Sequence, residues 1–187
     1  MIKTDIVIIG LGLTSKLIAM ALANTNCKVM IIGDKKQNTN FSNLVTFFST
    51  NSINFLNEIG ICNLYEKSIP INEISCSKLE AFEKNNKFQI NFKNKNSIGE
   101  LGRVLVNSEL NDSLDKAIEN NDNLTIRKNF NISQFQKNHL NKKLINDRQE
   151  EIAYKLLIIT DRKSNLINDF FINNLLTKKL NQTSIVM

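Results

Sequence analysis

The first 34 residues constrain this chain more than any other part of it. Asp5 precedes Ile6-Val7-Ile8-Ile9, a continuous β-branched run of the kind that fills strands covered on both faces of a parallel sheet. Gly10-Leu11-Gly12 interrupts the run. Over 13–23 the apolar residues return at helical spacing, with Leu13, Leu17, Met20 and Ala21 on one face, and Asn24 to Asn26 end the pattern. Lys28-Val29-Met30-Ile31-Ile32 is a second apolar run that closes on Gly33-Asp34. Strand, tight turn, helix and strand in this order predict a βαβ unit with a right-handed crossover. The expected class is therefore α/β, with a Rossmann-type unit at the N-terminus.

The turn between strand and helix carries the chemistry. Gly10-Leu11-Gly12-Leu13-Thr14-Ser15 matches G-x-G-x-x-G at every position but the last. Gly10 permits a tight exit from the strand, and Gly12 lets backbone amides approach a pyrophosphate. Leu13 and Thr14 open the helix, whose unpaired N–H groups and partial positive charge favour an anion. Ser15 replaces the third glycine and adds only a hydroxymethyl group where helix and strand pack closely. An acidic residue at the end of the second strand normally holds the ribose hydroxyls. The count from Gly10 falls on Gly33, with Asp34 one residue later, so Asp34 is the candidate ribose ligand. Because one step along a strand end turns a side chain to the other face, that assignment depends on local register. The site fits the ADP half of a dinucleotide and does not by itself separate FAD from NAD(P); a purely structural βαβ unit is the alternative.

Beyond this unit, 35–43 is polar and turn-like. An amphipathic helix is predicted over 49–59 from Ile53, Phe55, Leu56 and Ile59, with Gly60 ending it. Residues 74–81 alternate loosely and 87–92 clearly, which predicts an antiparallel pair, and Pro70 falls in a turn before it. A helix over 107–118 places Leu110, Leu114 and Ile118 inward. Short strands are expected over 123–128, 132–135 and 143–145. A strongly buried strand follows over 154–160, then a helix near 166–176 and a strand over 184–186.

Composition narrows the function classes. The chain is 42% hydrophobic and 22% charged, as in ordinary globular domains, and no apolar run reaches the length of a membrane span. The N-terminus lacks a charged start and cleavage site, so a cytoplasmic location is expected. The net charge of +6 comes from lysines scattered as isolated pairs such as Lys35-Lys36 and Lys142-Lys143, with only four arginines, so no nucleic-acid partner is expected. Cys27, Cys62 and Cys76 are widely spaced and odd in number, which predicts reduced packing cysteines. His139, the only histidine, reads as solvated and leaves no multi-histidine metal site or Ser-His-Asp mechanism, so no metal is expected. No catalytic acid–base constellation is visible.

The N-terminal unit, taken with four later stretches, resembles the FAD-dependent aromatic-ring hydroxylases, and among them the ubiquinone-biosynthesis hydroxylases. Phe55-Leu56-Asn57-Glu58-Ile59-Gly60-Ile61 is similar to that family's leucine-rich helix end. Leu101-Gly102-Arg103-Val104-Leu105-Val106-Asn107 with Leu110 is similar to its "G-x-V-V-x-N-x-x-L" stretch. Leu156 to Asp161, LLIITD, stands where the family has an apolar strand ending in "G-A-D-G". Gln182-Thr183-Ser184-Ile185-Val186 is similar to "Q-x-A-I-V", which opens the family's substrate-side sheet. The resemblance covers nearly the whole chain, in order. It departs at Leu44, near the place of a usual arginine, at Arg162 after the retained Asp161, and at Asn165 and Asn168.

The resemblance implies a Rossmann-type FAD-binding fold with a mainly parallel sheet, an antiparallel excursion and a truncated substrate domain. Residues 1–180 would form the FAD-binding domain with antiparallel strands inserted at about 71–95, and 181–187 would begin a substrate-domain sheet. The chain ends ahead of the family's second flavin motif. The implied activity is that of the N-terminal portion of a monooxygenase, using FAD reduced by NAD(P)H or another donor to hydroxylate an aromatic quinone precursor. Gly10, Gly12, Leu13, Thr14, Ser15 and Asp34 would hold the ADP part, with Asn107 and Asp161 toward the flavin. Asn107 has a simpler reading as a helix N-cap, which we favour, and Asp161 one as a turn residue. Association with a biosynthetic complex, peripheral to the inner membrane, is implied as well. Two other classes stay open: a non-catalytic interaction module that keeps the fold, and an NAD(P)-binding protein. The antiparallel stretch before LLIITD speaks against the second.

Overall fold

A computed structural model of the chain describes residues 1–33, 44–77, 89–94, 99–138 and 141–161. In chain order the elements are β1 (Ile2–Lys3), β2 (Ile6–Ile9), α1 (Leu13–Ala23), β3 (Val29–Gly33), β4 (Val45–Ser49) and α2 (Thr50–Glu58). A 3-10 turn (Cys62–Leu64), β5 (Ile69–Ile71), β6 (Glu73–Ser77), β7 (Gln89–Lys93), β8 (Gly102–Val106) and α3 (Asn107–Glu119) follow. The last elements are β9 (Leu124–Lys128), β10 (Ile132–Asn138), β11 (Asn141–Asn146), β12 (Glu151–Ala153) and β13 (Leu156–Ile159). The expected helix at 166–176 and strand at 184–186, the boundary at 181 and His139 lie outside the described residues.

The apolar runs read from the sequence form a four-stranded parallel sheet of order β13-β2-β3-β9. Val7, Ile8, Ile31 and Ile32 are wholly buried in it because both faces are covered. Ile6, Ile8, Val29 and Ile31 pack with Met20 of α1 and Leu110, Leu114 and Ile118 of α3. Val7, Ile9, Met30 and Ile32 pack instead against Leu144, Ile152 and Tyr154 beneath a second sheet of order β1-β12-β11-β10. Helices therefore cover one side and a mixed sheet the other, which is why these strands carry no alternation.

The antiparallel content exceeds the expectation. Among the described residues four of thirteen strands form the parallel sheet; the rest lie in the mixed sheet, a three-stranded sheet β4-β8-β5 and a two-stranded ribbon β6-β7. The paired stretches around 74 and 92 form that ribbon as predicted. The strands β4, β5 and β8 escape sequence reading because each is short and lies beside a stronger signal. Pro70 sits in β5 rather than in a turn, opposite Arg103. An edge strand tolerates it because an outward N–H has no partner to lose. β13, expected to be deeply buried, is the edge of its sheet among the described residues, and Leu156 is 51% exposed.

The helices form where capping and periodicity put them. Ser49 caps α2 by accepting from the Ser52 amide at 3.3 Å, and Gly60 at φ +88° ends its last turn. Ile53, Leu56 and Ile59 are buried as expected, but Phe55 is exposed, one position off their stripe. The buried side of α1 also differs from the expected one: Ser15, Ala19 and Ala23, small residues four apart, go inward with Met20 and Lys16, while Ala21 is exposed. Small side chains let the helix lie close to its neighbours. The cysteines are free, but Cys62 and Cys76 are exposed rather than packed.

Lys16 is buried because α3 neutralises it. Its Nζ donates to Asn111 Oδ1 at 2.6 Å and lies 2.5 Å from Asp115 Oδ1. Lys16→Met leaves the Asp115 carboxylate without its counter-charge, and urea unfolding is expected to show a loss of about 3 kcal/mol. Removing both partners in Lys16→Met/Asp115→Leu recovers most of it.

Tyr154 lies in the lower core, and burial pushes its phenol from 10.0 up to about 12. Since the folded value exceeds the unfolded one, the contribution is complete below pH 10 and disappears as pH rises through 12. The expected loss across that window is about 2–3 kcal/mol. It is measured by comparing alkaline unfolding with that of Tyr154→Phe, which lacks this component.

Candidate cofactor site at the strand ends

The central strand of the parallel sheet, β2, has β3 on one side and β13 on the other. The chain leaving β2 moves by way of α1 to β3, while β13 arrives from the far end of the described sequence. Such a divergence opens a crevice beyond the carboxyl ends of the strands, where ligands of open α/β sheets bind. One lip is Gly10-Leu11-Gly12 and the other is Thr160-Asp161.

The lips are tied by backbone hydrogen bonds. Gly10 N donates to Ile32 O at 2.8 Å, and Thr160 N donates to Ile9 O at 2.9 Å. Thr160 Oγ1 donates to the same Ile9 carbonyl at 2.8 Å. Gly10 has φ +125°, and a Cβ built there would collide with Thr160 Oγ1 and stand 3.4 Å from Asp161 N. Glycine at 10 is therefore required by the protein itself, through both its dihedral and the closeness of the second lip.

Gly12 is different. It caps α1 at φ −79°, ψ 175°, a conformation open to any residue, and an added Cβ meets nothing within 4 Å. Neither backbone nor packing demands glycine here, so the bare position leaves room for something outside the chain. The first turn of α1 has no acidic residue and no side-chain cap, which leaves its amides and positive end without a counter-charge of their own. Leu13 is half-buried and Thr14 exposed at that end. Ser15 is fully buried and its Oγ donates to Gly12 O at 2.6 Å. The hydroxyl that replaces the third glycine is thus satisfied inside the turn and costs the crevice no space.

Gly33, where the count for the ribose acid falls, faces Leu11. A Cβ at Gly33 would stand 2.7 Å from Leu11 Cγ, so the aliphatic side chain of the turn occupies the place of a side chain at 33. Asp34 lies outside the described residues. Asn107 does not cap its helix as expected: Val106 holds the N-cap position, no side chain caps it, and Asn107 is the first helical residue. The Asn107 side-chain oxygen accepts from Thr46 Oγ1 at 2.7 Å, and the Asn107 backbone N–H donates to Leu44 O at 2.8 Å, tying α3 to β4. The tie to a distant strand, invisible in sequence, outcompetes local capping.

The structure brings Gly10, Gly12, Leu13, Thr14, Ser15 and Asp161 to one crevice and ties Asn107, at the start of α3, to Thr46 of β4. Sequence reasoning missed Thr160 and Leu11. Thr160 had a signal, a hydroxyl at the end of an apolar strand beside a retained acid; Leu11 had none.

No protein-family profile matches the sequence, and no curated protein matches it. Solved structures do match its fold. Against p-nitrophenol 4-monooxygenase PnpA of Pseudomonas putida DLL-E4 the TM-score is 0.71 at 12% identity, over 91% of this chain and 44% of that one. Against PqsL of Pseudomonas aeruginosa in complex with 2-aminobenzoylacetate it is 0.67 at 9% identity, over 95% and 48%. Against the flavin-dependent monooxygenase PieE, in complex with FAD and substrate, it is 0.66 at 12% identity, over 90% and 32%. The chain shares the fold of flavin monooxygenase domains and spans about half or less of the length of these proteins. No helix of the described residues is long and apolar enough to cross a membrane.

Proposed function

We propose that the chain is the FAD-binding portion of a flavin-dependent monooxygenase acting on a small aromatic substrate. The observation that carries this reading is Gly12, a glycine that the protein's own backbone and packing do not require, at the uncapped end of α1 over the strand-end crevice. Gly10 shapes the turn, the amides after Gly12 would receive the pyrophosphate, and Asp34 would meet the ribose. Ser15 keeps the turn closed from beneath, and Asp161 stands on the second lip. The neighbours in fold, one of them solved with FAD and substrate, favour a flavin over a nicotinamide dinucleotide. So does the antiparallel excursion of β4 to β8 between the second and third strands of the parallel sheet. FAD, when bound and reduced by NAD(P)H or another donor, supplies the oxygen chemistry; this chain's residues bind and orient it. A ubiquinone precursor is the substrate that the sequence resemblance favours, with a site in the cytoplasm at the inner membrane surface.

Absorption and fluorescence spectra of the purified chain, before and after adding FAD, test the proposal. Flavin that co-purifies, or saturable uptake, supports it. A folded α/β protein by circular dichroism that takes up no FAD overturns it and leaves a non-catalytic module of the same fold, a reading that the altered third glycine also suits.

A further inference from the structure

We infer that Ser15 is a positioning residue of the proposed dinucleotide site: its hydroxyl fixes the peptide that presents the first free amide of α1 to the pyrophosphate. The inference rests on the dinucleotide reading and deepens it, because it makes the one departure from the glycine motif a working part of the site.

The first turn of a helix offers amides with no partner inside the helix, and the peptide planes that carry them set their direction. The Gly12–Leu13 peptide is trans, so its C=O and its N–H point in opposite directions. Whatever holds the Gly12 carbonyl therefore aims the Leu13 N–H. In α1 the backbone holds it poorly. Lys16 N stands 3.4 Å from Gly12 O, long for an N–H···O bond, for which about 2.7–3.2 Å is usual. Ser15 holds it well: its Oγ donates to the same carbonyl at 2.6 Å, from a side chain wholly shielded from water. Back-bonding to the carbonyl three residues earlier is a local option of serine, here used on the N-cap peptide.

The surroundings keep the hydroxyl on that one partner. Ser15 heads the inward row Ser15, Ala19 and Ala23, so it has no route to solvent. Next to it, Lys16 anchors the turn to α3 through Asn111 Oδ1 at 2.6 Å and through Asp115. The inner side of the turn is thus held at two successive residues. Its outer side stands open, since an added Cβ at Gly12 meets nothing within 4 Å and no side chain caps the helix. A glycine at 15 would leave Gly12 O to the long backbone bond alone and add glycine's conformational freedom to a helical turn. Restoring the motif's third glycine is therefore expected to weaken binding, the opposite of what the motif alone predicts.

The test compares FAD, ADP and adenosine affinities of the purified chain with those of Ser15→Gly and Ser15→Ala. Ionic strength is fixed, and the temperature is one at which circular dichroism shows each protein folded. FAD is followed by flavin fluorescence quenching, and ADP and adenosine by competition with it. Both variants should fold and bind FAD and ADP about five- to tenfold more weakly, the equivalent of one hydrogen bond, with adenosine unchanged. A hydroxyl that served only the packing of the helix would weaken all three ligands alike, or none. Equal or tighter FAD binding by Ser15→Gly, an equal loss for adenosine, or failure of both variants to fold would overturn the inference; the dinucleotide reading would stand, because the parent still binds. A parent chain that binds neither FAD nor ADP overturns both.

Discussion

Gly12→Glu is expected to abolish FAD uptake while the protein stays folded. The two halves of this result have separate causes. Nothing stands within 4 Å of an added Cβ and the dihedrals suit any residue, so the substitution meets no obstacle inside the protein. The change in unfolding free energy should stay within about 1 kcal/mol, the scale of an N-cap exchange. Outside the protein the carboxylate would stand where the pyrophosphate is to lie, adding like charge and volume at once. The affinity should fall by about a hundredfold or more, measured by flavin fluorescence quenching at fixed ionic strength. Gly12→Ala, which adds volume without charge, should lie between. If Gly12→Glu binds FAD as the parent does, the glycine turn is not the pyrophosphate site. If it unfolds, the open position assigned to Gly12 is wrong.

At the neighbouring glycine the order of effects reverses. Gly10→Ala is expected to lose about 3 kcal/mol of stability before any ligand is added, combining backbone strain with a displaced Thr160 hydroxyl. The strain follows from φ +125°, a region that side chains rarely tolerate, and the displacement from the collision with Oγ1, which is bonded to Ile9 O. Typical domains have only about 5–15 kcal/mol in total, so urea midpoints should move visibly. Adding Thr160→Ala to Gly10→Ala removes the collision and should recover part of the loss, leaving the dihedral component. A Gly10→Ala protein as stable as the parent would show that the two lips do not approach as described.

The contrast between two glycines in one motif marks the limit of sequence reading here. The motif assigned Gly10 to the tight turn and Gly12 to the approach of a pyrophosphate, but gave no sign of the second lip that presses on Gly10. The strand, turn, helix and strand around them were legible because each depends on near neighbours: a β-branched run, a period of 3.6, a glycine that breaks one and starts the other. The core positions Leu110, Leu114 and Ile118 were legible for the same reason. The inward face of α1 was not, because Lys16 is buried only by virtue of Asn111 and Asp115, nearly a hundred residues away in the chain. Neither was the role of Asn107, whose local capping option lost to Thr46.

By itself the sequence determined that this chain begins with a βαβ unit, that its central strands are buried on both faces, and where its glycine turn and ribbon lie. Only the tertiary structure decided that Gly10 is pressed by Thr160 while Gly12 stands open, that Asp161 meets the turn, and that β13 is an edge strand among the described residues. Local patterns encode elements because backbone geometry repeats over a few residues. The surroundings of a position are set by partners the chain brings from afar, and a one-dimensional period carries no record of them.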